Sequence, residues 1–198
     1  MNKRLLIFGG AFNPPHRGHM QLLEQAIENV KPAVTLVLPT SVSPHKVSGD
    51  ISFSHRFNMA KVFTSLDTVK LSGIENRGKR KKNYTIKTIK WIEKSYKGYD
   101  IYLLIGSDMV ISFSTWSRYR RILAKVTLVV AAREQDDTEF KDAIDCLKQE
   151  GAKIRFMKSN PIVISSSQLR EAIHNIRDVG EYLDDSVLAY IKKNSLYI

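Results

Sequence analysis

Two imidazoles three residues apart, His16 and His19, lie in the stretch Gly9-Gly10-Ala11-Phe12-Asn13-Pro14-Pro15-His16-Arg17-Gly18-His19. The two leading glycines let a ligand approach the backbone closely. The histidines fall at the start of a predicted helix, where unpaired N–H groups and the helix dipole favour an anion. Gly9 to Phe12 with His16 and His19 therefore make a candidate phosphate site. The ending rules out a Walker loop, which needs Gly-Lys-Ser/Thr, and the glycine spacing is not Gly-x-Gly-x-x-Gly. A second polar cluster, Ser165-Ser166-Ser167 with Arg170, opens another predicted helix. Its serines serve as helix caps or, with the arginine one turn in, as a polyphosphate clamp, and the two roles are compatible.

Other candidates stand at the ends of apolar runs. Lys46 follows Ser43-Pro44-His45 and is either a cation held beside the first strand's end or a solvated loop lysine. Gly106 and Asp108 directly follow a strand, where an aspartate can accept hydrogen bonds from ribose hydroxyls or act as a helix cap. Trp116 offers a flat ring for a heteroaromatic ligand or for the core. Lys79-Arg80-Lys81-Lys82 is either an anion-binding loop or a solvated one. The helix opening near Tyr84 and Thr85 would present free N–H groups suited to a carboxylate.

The elements that must carry these residues alternate. Leu5-Leu6-Ile7-Phe8, Ala33 to Leu38, Val69 to Ile74, Asp100 to Ile105, Thr127 to Ala132 and Ala152 to Met157 read as strands. Between them, helices are predicted from Met20 to Val30, over Phe57, Val62, Phe63 and Leu66 with a cap at or near Ser54, and over Ile86, Ile89, Ile92 and Tyr96. A further helix includes Asp142 to Leu147, another carries Leu169, Ile173 and Ile176, and a short one runs from Ser186 to Lys193. Sustained alternation with right-handed crossovers predicts an α/β fold: a Rossmann-like doubly wound parallel sheet with a short C-terminal helical extension. We expect one domain over residues 1–198, with the core over about 1–160 and the clamp and final helices over about 161–198.

With 198 residues and 43% hydrophobic content, the chain can bury a substantial core. It contains no apolar run of membrane-spanning length and no signal-peptide pattern, which predicts a cytoplasmic protein without a membrane partner. The single cysteine, Cys146, has no partner for a disulfide and no zinc-type spacing, and is expected to be a small buried apolar residue. A net charge of +11 indicates an anionic partner without choosing among nucleotides, nucleic acids and acidic surfaces.

Taken together, Gly9 to Pro14 with His16 and His19, and Ile164-Ser165-Ser166-Ser167 with Arg170, resemble the two signatures of the nucleotidyltransferase superfamily. Pro44-His45-Lys46, Asn83-Tyr84-Thr85, Gly106-Ser107-Asp108-Met109, Trp116, Val130-Ala131-Ala132-Arg133 and the ending through Leu196-Tyr197 follow the order of the bacterial nicotinate-nucleotide adenylyltransferases. That resemblance implies adenylyl transfer from ATP to nicotinate mononucleotide, with Mg²⁺ arriving on ATP and no metal site of the protein's own. It gives His16, His19, Lys46 and Arg170 catalytic roles on the phosphates. It assigns Gly9, Gly10, Ala11, Phe12, Gly106, Asp108, Arg133, Ser166 and Ser167 to ATP, and Tyr84, Thr85 and Trp116 to the nicotinate. The alternatives are the same chemistry on nicotinamide mononucleotide or phosphopantetheine, or a non-catalytic relative that binds nucleic acid. A homo-oligomer is compatible with all of them. Two positions depart from the family pattern: Ala11 stands where Thr or Ser is usual, and Asn13 where Asp is usual. Ala11 leaves only a backbone N–H for phosphate, and Asn13 removes a carboxylate from the turn. Ser43 likewise replaces a common proline.

Overall fold

Strand β1 (Lys3–Gly10) is the centre of a six-stranded, all-parallel sheet. A computed structural model describes residues 2–41, 51–76, 84–132, 138–158, 162 and 164–198. The remaining strands are β2 (Val34–Pro39), β3 (Val69–Leu71), β4 (Tyr99–Gly106), β5 (Thr127–Ala132) and β6 (Lys153–Lys158), in the order β3-β2-β1-β4-β5-β6. Side chains alternate across a strand, so the continuous apolar run of β1 must be covered on both faces. Leu5 and Ile7 join one core cluster and Leu6 and Phe8 the other.

Each face is closed by helices whose apolar spacing suits it. α1 (Arg17–Val30) places Leu23, Ala26 and Val30 on one cluster, together with Phe63 from the turn of 3-10 helix Ala60–Ser65. α3 (Thr85–Ser95), α4 (Ser107–Ser112), α5 (Tyr119–Leu123) and α6 (Thr138–Gln149) cover the opposite face. α2 (Phe53–Met59), α7 (Ser166–His174) and α8 (Asp185–Lys193) meet in a third cluster of Met59, Leu169, Val179, Leu183, Val187, Ile191 and Leu196. This third cluster gives α7 an apolar floor of its own, separate from the sheet.

The strand order reverses between β1 and β4. Their register runs to Phe8 opposite Leu104, so Gly10 and Gly106 end the two strands side by side. In open α/β sheets, ligands lie outside the carboxyl ends of the strands at such a reversal.

Several local expectations change. Ser52, not Ser54, caps α2, accepting from the His55 amide at 3.3 Å. The helix predicted through Leu66 is split into α2 and a 3-10 turn, while β3 stops at Leu71, short of Ile74. α7 ends at His174, and Ile176, in the left-handed region at φ 55°, is 93% exposed rather than on its apolar face. Cys146 is exposed, because the buried side of α6 is formed by Phe140, Ile144 and Leu147.

Candidate active site

The β1–α1 turn is shaped by what it buries. Phe12 adopts φ 47°, and its ring packs edge-on against Phe8 at 5.3 Å and against Phe63 at 5.0 Å. A left-handed non-glycine residue is disfavoured unless its surroundings hold it, and here the aromatic cluster does so. The ring occupies the space beside Gly10, where a Cβ would stand 2.8 Å from Phe12 Cε1. With its side chain buried, Phe12 has only its backbone to offer a ligand.

The carbonyls of the turn are held in sequence. Arg56, only 3% exposed, donates from Nη1 to Ala11 O at 2.8 Å and to Thr40 O at 2.6 Å, and from Nη2 to Ser41 O at 3.0 Å. One buried guanidinium thus ties the ends of β1 and β2 together, and burial lowers its pKa from the ordinary arginine value. Because C=O and N–H of a trans peptide point in opposite directions, fixing Ala11 O turns the Phe12 amide away from Arg56. Arg170 Nη1 donates to Asn13 O at 2.9 Å and Ser166 Oγ to Pro14 O at 2.9 Å. The two polar stretches of the sequence therefore meet directly.

The start of α7 is organised by a capping box. Gln168 N donates to Ser165 Oγ at 3.2 Å, and Ser165 N donates to Gln168 Oε1 at 2.9 Å. The amides of Ser166 and Ser167 lie between those two at the positive end of the helix. Arg170 Nη2 also donates to Ser167 Oγ at 3.1 Å, placing a guanidinium, two hydroxyls and a helix terminus beside the turn.

His16 and His19 stack with ring centroids 3.7 Å apart. His16 N donates to His19 Nδ1 at 3.3 Å, so that nitrogen is unprotonated and the neutral ring carries its proton on Nε2. His16 Nδ1 is buried without a hydrogen-bond partner among the described residues, and burial pushes the imidazole down to about 4. It is neutral at pH 7 in the free protein, because burial disfavours the charged ring. The start of α1 is fastened from below, with Arg17 N donating to Tyr182 O at 2.8 Å and Arg17 Nε to Leu183 O at 3.3 Å.

Gly106 is the backbone cap of α4, and a Cβ there would meet Asp108 Oδ1 at 2.8 Å. Asp108 lies in the first turn of α4, exposed, and neither it nor Ser107 is the cap. Tyr84 is the N-cap of α3 in extended conformation, followed by Thr85 as the first helical residue, so the amides of that turn lie at a helix start. Trp116 follows a 3-10 turn and stacks on Phe113 at 4.8 Å, half-buried. Tyr84 and Trp116 pack on the same core cluster. Lys46, Arg133 and the run Lys79 to Lys82 lie outside the described residues.

Sequence reading missed Arg56, Arg17 and Tyr197. Tyr197 Oη donates to Asn13 Oδ1 at 2.6 Å across 184 positions. Only the ending Leu196-Tyr197 signalled that this segment matters, and nothing in the sequence marked its target. Among the described residues, no three His, Cys, Asp or Glu side chains group to hold a metal. The turn and clamp present imidazoles, hydroxyls, guanidinium and amides, which match phosphate oxygens. A divalent cation suits this donor set as part of a metal–triphosphate substrate. No helix among the described residues is long and apolar enough to cross a membrane.

Comparison with known proteins shows the family of the chain. Residues 7–172 match the cytidylyltransferase-like family. A probable nicotinate-nucleotide adenylyltransferase of Thermosipho melanesiensis is 33% identical, covering 98% of this chain and 96% of the relative. One from Borrelia garinii subsp. bavariensis is 32% identical, covering 98% and 95%. Among solved structures, the Plasmodium falciparum nicotinic acid mononucleotide adenylyltransferase complexed with NaAD superposes with a TM-score of 0.80. It is 19% identical and covers 98% of this chain and 97% of that one, a likeness of fold.

Proposed function

This chain belongs to the cytidylyltransferase-like family, among the nicotinate-nucleotide adenylyltransferases, and from that premise we propose how its residues transfer an adenylyl group from ATP to nicotinate mononucleotide. The products are nicotinate adenine dinucleotide and pyrophosphate, a step of NAD biosynthesis. The observation that carries this assignment of residues is the joining of the two signatures, through Arg170 to Asn13 O and Ser166 to Pro14 O, both at 2.9 Å.

An oxygen of the mononucleotide 5′-phosphate attacks the α-phosphorus of ATP. The bond from that phosphorus to the bridging oxygen of the β-phosphate breaks, and pyrophosphate leaves with the bond's electrons. The nucleophile is already anionic, so no general base is needed, and the protein's task is alignment and neutralisation of charge. Gly9 and Gly10 admit the triphosphate to the backbone, where the amides of Ala11 and Phe12 donate. His19 donates from Nε2 to charge building up on the phosphates. His16 takes up a proton more readily beside the triphosphate than in the free protein, because an adjacent anion favours the imidazolium. Ser166, Ser167 and Arg170 hold the β- and γ-phosphates and the departing pyrophosphate.

The remaining assignments set specificity. Gly106 and Asp108 receive the adenosine ribose, and Arg133 the nucleotide edge. Tyr84 and Thr85 offer the first-turn amides of α3 to the nicotinate carboxylate, while Trp116 stacks on the pyridine ring. Lys46 steadies phosphate at the reacting centre. Mg²⁺ would arrive with ATP and offset charge on the phosphates that Ser166, Ser167 and Arg170 hold. A panel of nicotinate mononucleotide, nicotinamide mononucleotide and phosphopantetheine, each with ATP and Mg²⁺, tests the assignment. The nicotinate substrate should give the highest kcat/KM; a preference for the amide would refute the carboxylate site.

A further inference from the structure

We propose that Tyr197 is a positioning residue for the nucleotide turn, acting through the side chain of Asn13. The proposal rests on the adenylyl-transfer reading for its catalytic consequence, but its structural core can be tested without turnover.

Asn13 is 5% exposed and is held at two points. Its backbone carbonyl accepts from Arg170 at 2.9 Å, and its Oδ1 accepts from Tyr197 Oη at 2.6 Å. Asn13 lies between Phe12, whose amide points away from Arg56, and Pro14, whose carbonyl is bound by Ser166. The Tyr197 bond therefore acts at the junction between the amide end of the turn and the clamp. Tyr197 reaches the turn through the Asn13 side chain, so its action on these groups is one of positioning.

The side chain is held firmly enough to do this. Ser195 and Tyr197 both adopt left-handed backbone conformations, φ 48° and 66°, which turn the segment back toward the site. Such residues are disfavoured and persist where the surroundings fix them. Leu196 between them is buried in the third cluster with Leu169 of α7 and Ile191 of α8. The apolar floor that seats α7 thus also seats Tyr197. Burial raises the phenol pKa above its ordinary value, which keeps the hydroxyl a donor across the working pH range.

Asn13 also gives this bond its character. A carboxamide accepts the tyrosine proton with its oxygen while adding no negative charge beneath the triphosphate. An orienting contact is thus retained in a turn that must receive several phosphate charges.

Tyr197→Phe removes only the hydroxyl and leaves the ring in place. Hydrogen exchange of residues 11–13 in the free protein should speed up at least ~5-fold in the variant, as expected when a net hydrogen bond of about 1 kcal/mol is lost. With ATP and nicotinate mononucleotide, kcat should fall ~10-fold while KM for ATP changes less, because alignment is lost rather than binding. Asn13→Ala should produce a similar loss, and the double variant should be no slower than the slower single variant. Unchanged exchange at residues 11–13, or additive losses in the double variant, would overturn the proposal. A parent protein that releases no pyrophosphate while exchange still responds would refute the reaction and leave the positioning role intact.

Discussion

Lowering the pH from 7 to 5 should destabilise the free protein through one side chain, His16. Burial pushes its imidazole down to about 4 in the folded protein against an ordinary 6.5. Between those two values the unfolded chain binds the proton and the folded one does not. Stability conferred by the neutral ring is therefore whole above the unfolded value and declines as the pH falls from 6.5 toward 4. For a single site with these two pKa values, linkage gives a loss of about 2 kcal/mol at pH 5 and about 3 kcal/mol at pH 4. Urea unfolding of the parent and of His16→Gln at pH 7 and pH 5 isolates the effect, since every other titrating group is common to both. The parent should lose about 2 kcal/mol more than the variant over that interval. Equal losses would refute the account of His16 as a buried neutral ring. Saturating Mg²⁺ and ATP should shrink the difference, because a triphosphate beside the ring stabilises its protonated form.

Arg170→Ala removes the guanidinium that bridges Asn13 O and Ser167 Oγ. It should lower kcat/KM for ATP by ~10²-fold, the scale of a lost charge-assisted contact to phosphate; steady-state kinetics within twofold of the parent would remove it from the site. Arg56→Met strands the carbonyls of Ala11, Thr40 and Ser41. It should cost roughly 3 kcal/mol of stability in urea unfolding, and a cost below about 1 kcal/mol would show that these carbonyls find other partners. Gly10→Ala sets a methyl 2.8 Å from the Phe12 ring, itself wedged against Phe8 and Phe63. It should destabilise by about 1–3 kcal/mol and weaken ATP binding measured by calorimetry, whereas parent-like values for both would mean the ring has room to retreat.

The sheet was legible because each of its main strands is a short apolar run closed by glycine, proline or a polar turn. Leu5 to Phe8 and Thr127 to Ala132 cannot be covered on one face only, and that requirement dictates helices on both. That Gly9 to His19 leads into α1 and Ser165 to Arg170 opens α7 was also legible, since glycine, proline and capping residues are concentrated locally. What sequence did not show is how the two are held. Arg56 looks like any arginine on a short helix, and its role depends on carbonyls 15, 16 and 45 positions away. Tyr197 and Asn13 are 184 positions apart, and only a folded third cluster brings them together. Periodicity also failed where a helix simply stopped: Ile176 fits the spacing of Leu169 and Ile173, but the chain leaves the helix at His174. Cys146 was misplaced by composition, because a cysteine's average burial says nothing about which side of α6 faces the sheet.

The most direct measurement is the stoichiometry of product formation from ATP, Mg²⁺ and nicotinate mononucleotide. One pyrophosphate released for each nicotinate adenine dinucleotide formed is the result expected if the turn and clamp align the mononucleotide phosphate on the α-phosphorus. Pyrophosphate without dinucleotide would mean that water, not the mononucleotide, is the nucleophile, and no pyrophosphate at all would contradict adenylyl transfer by this site.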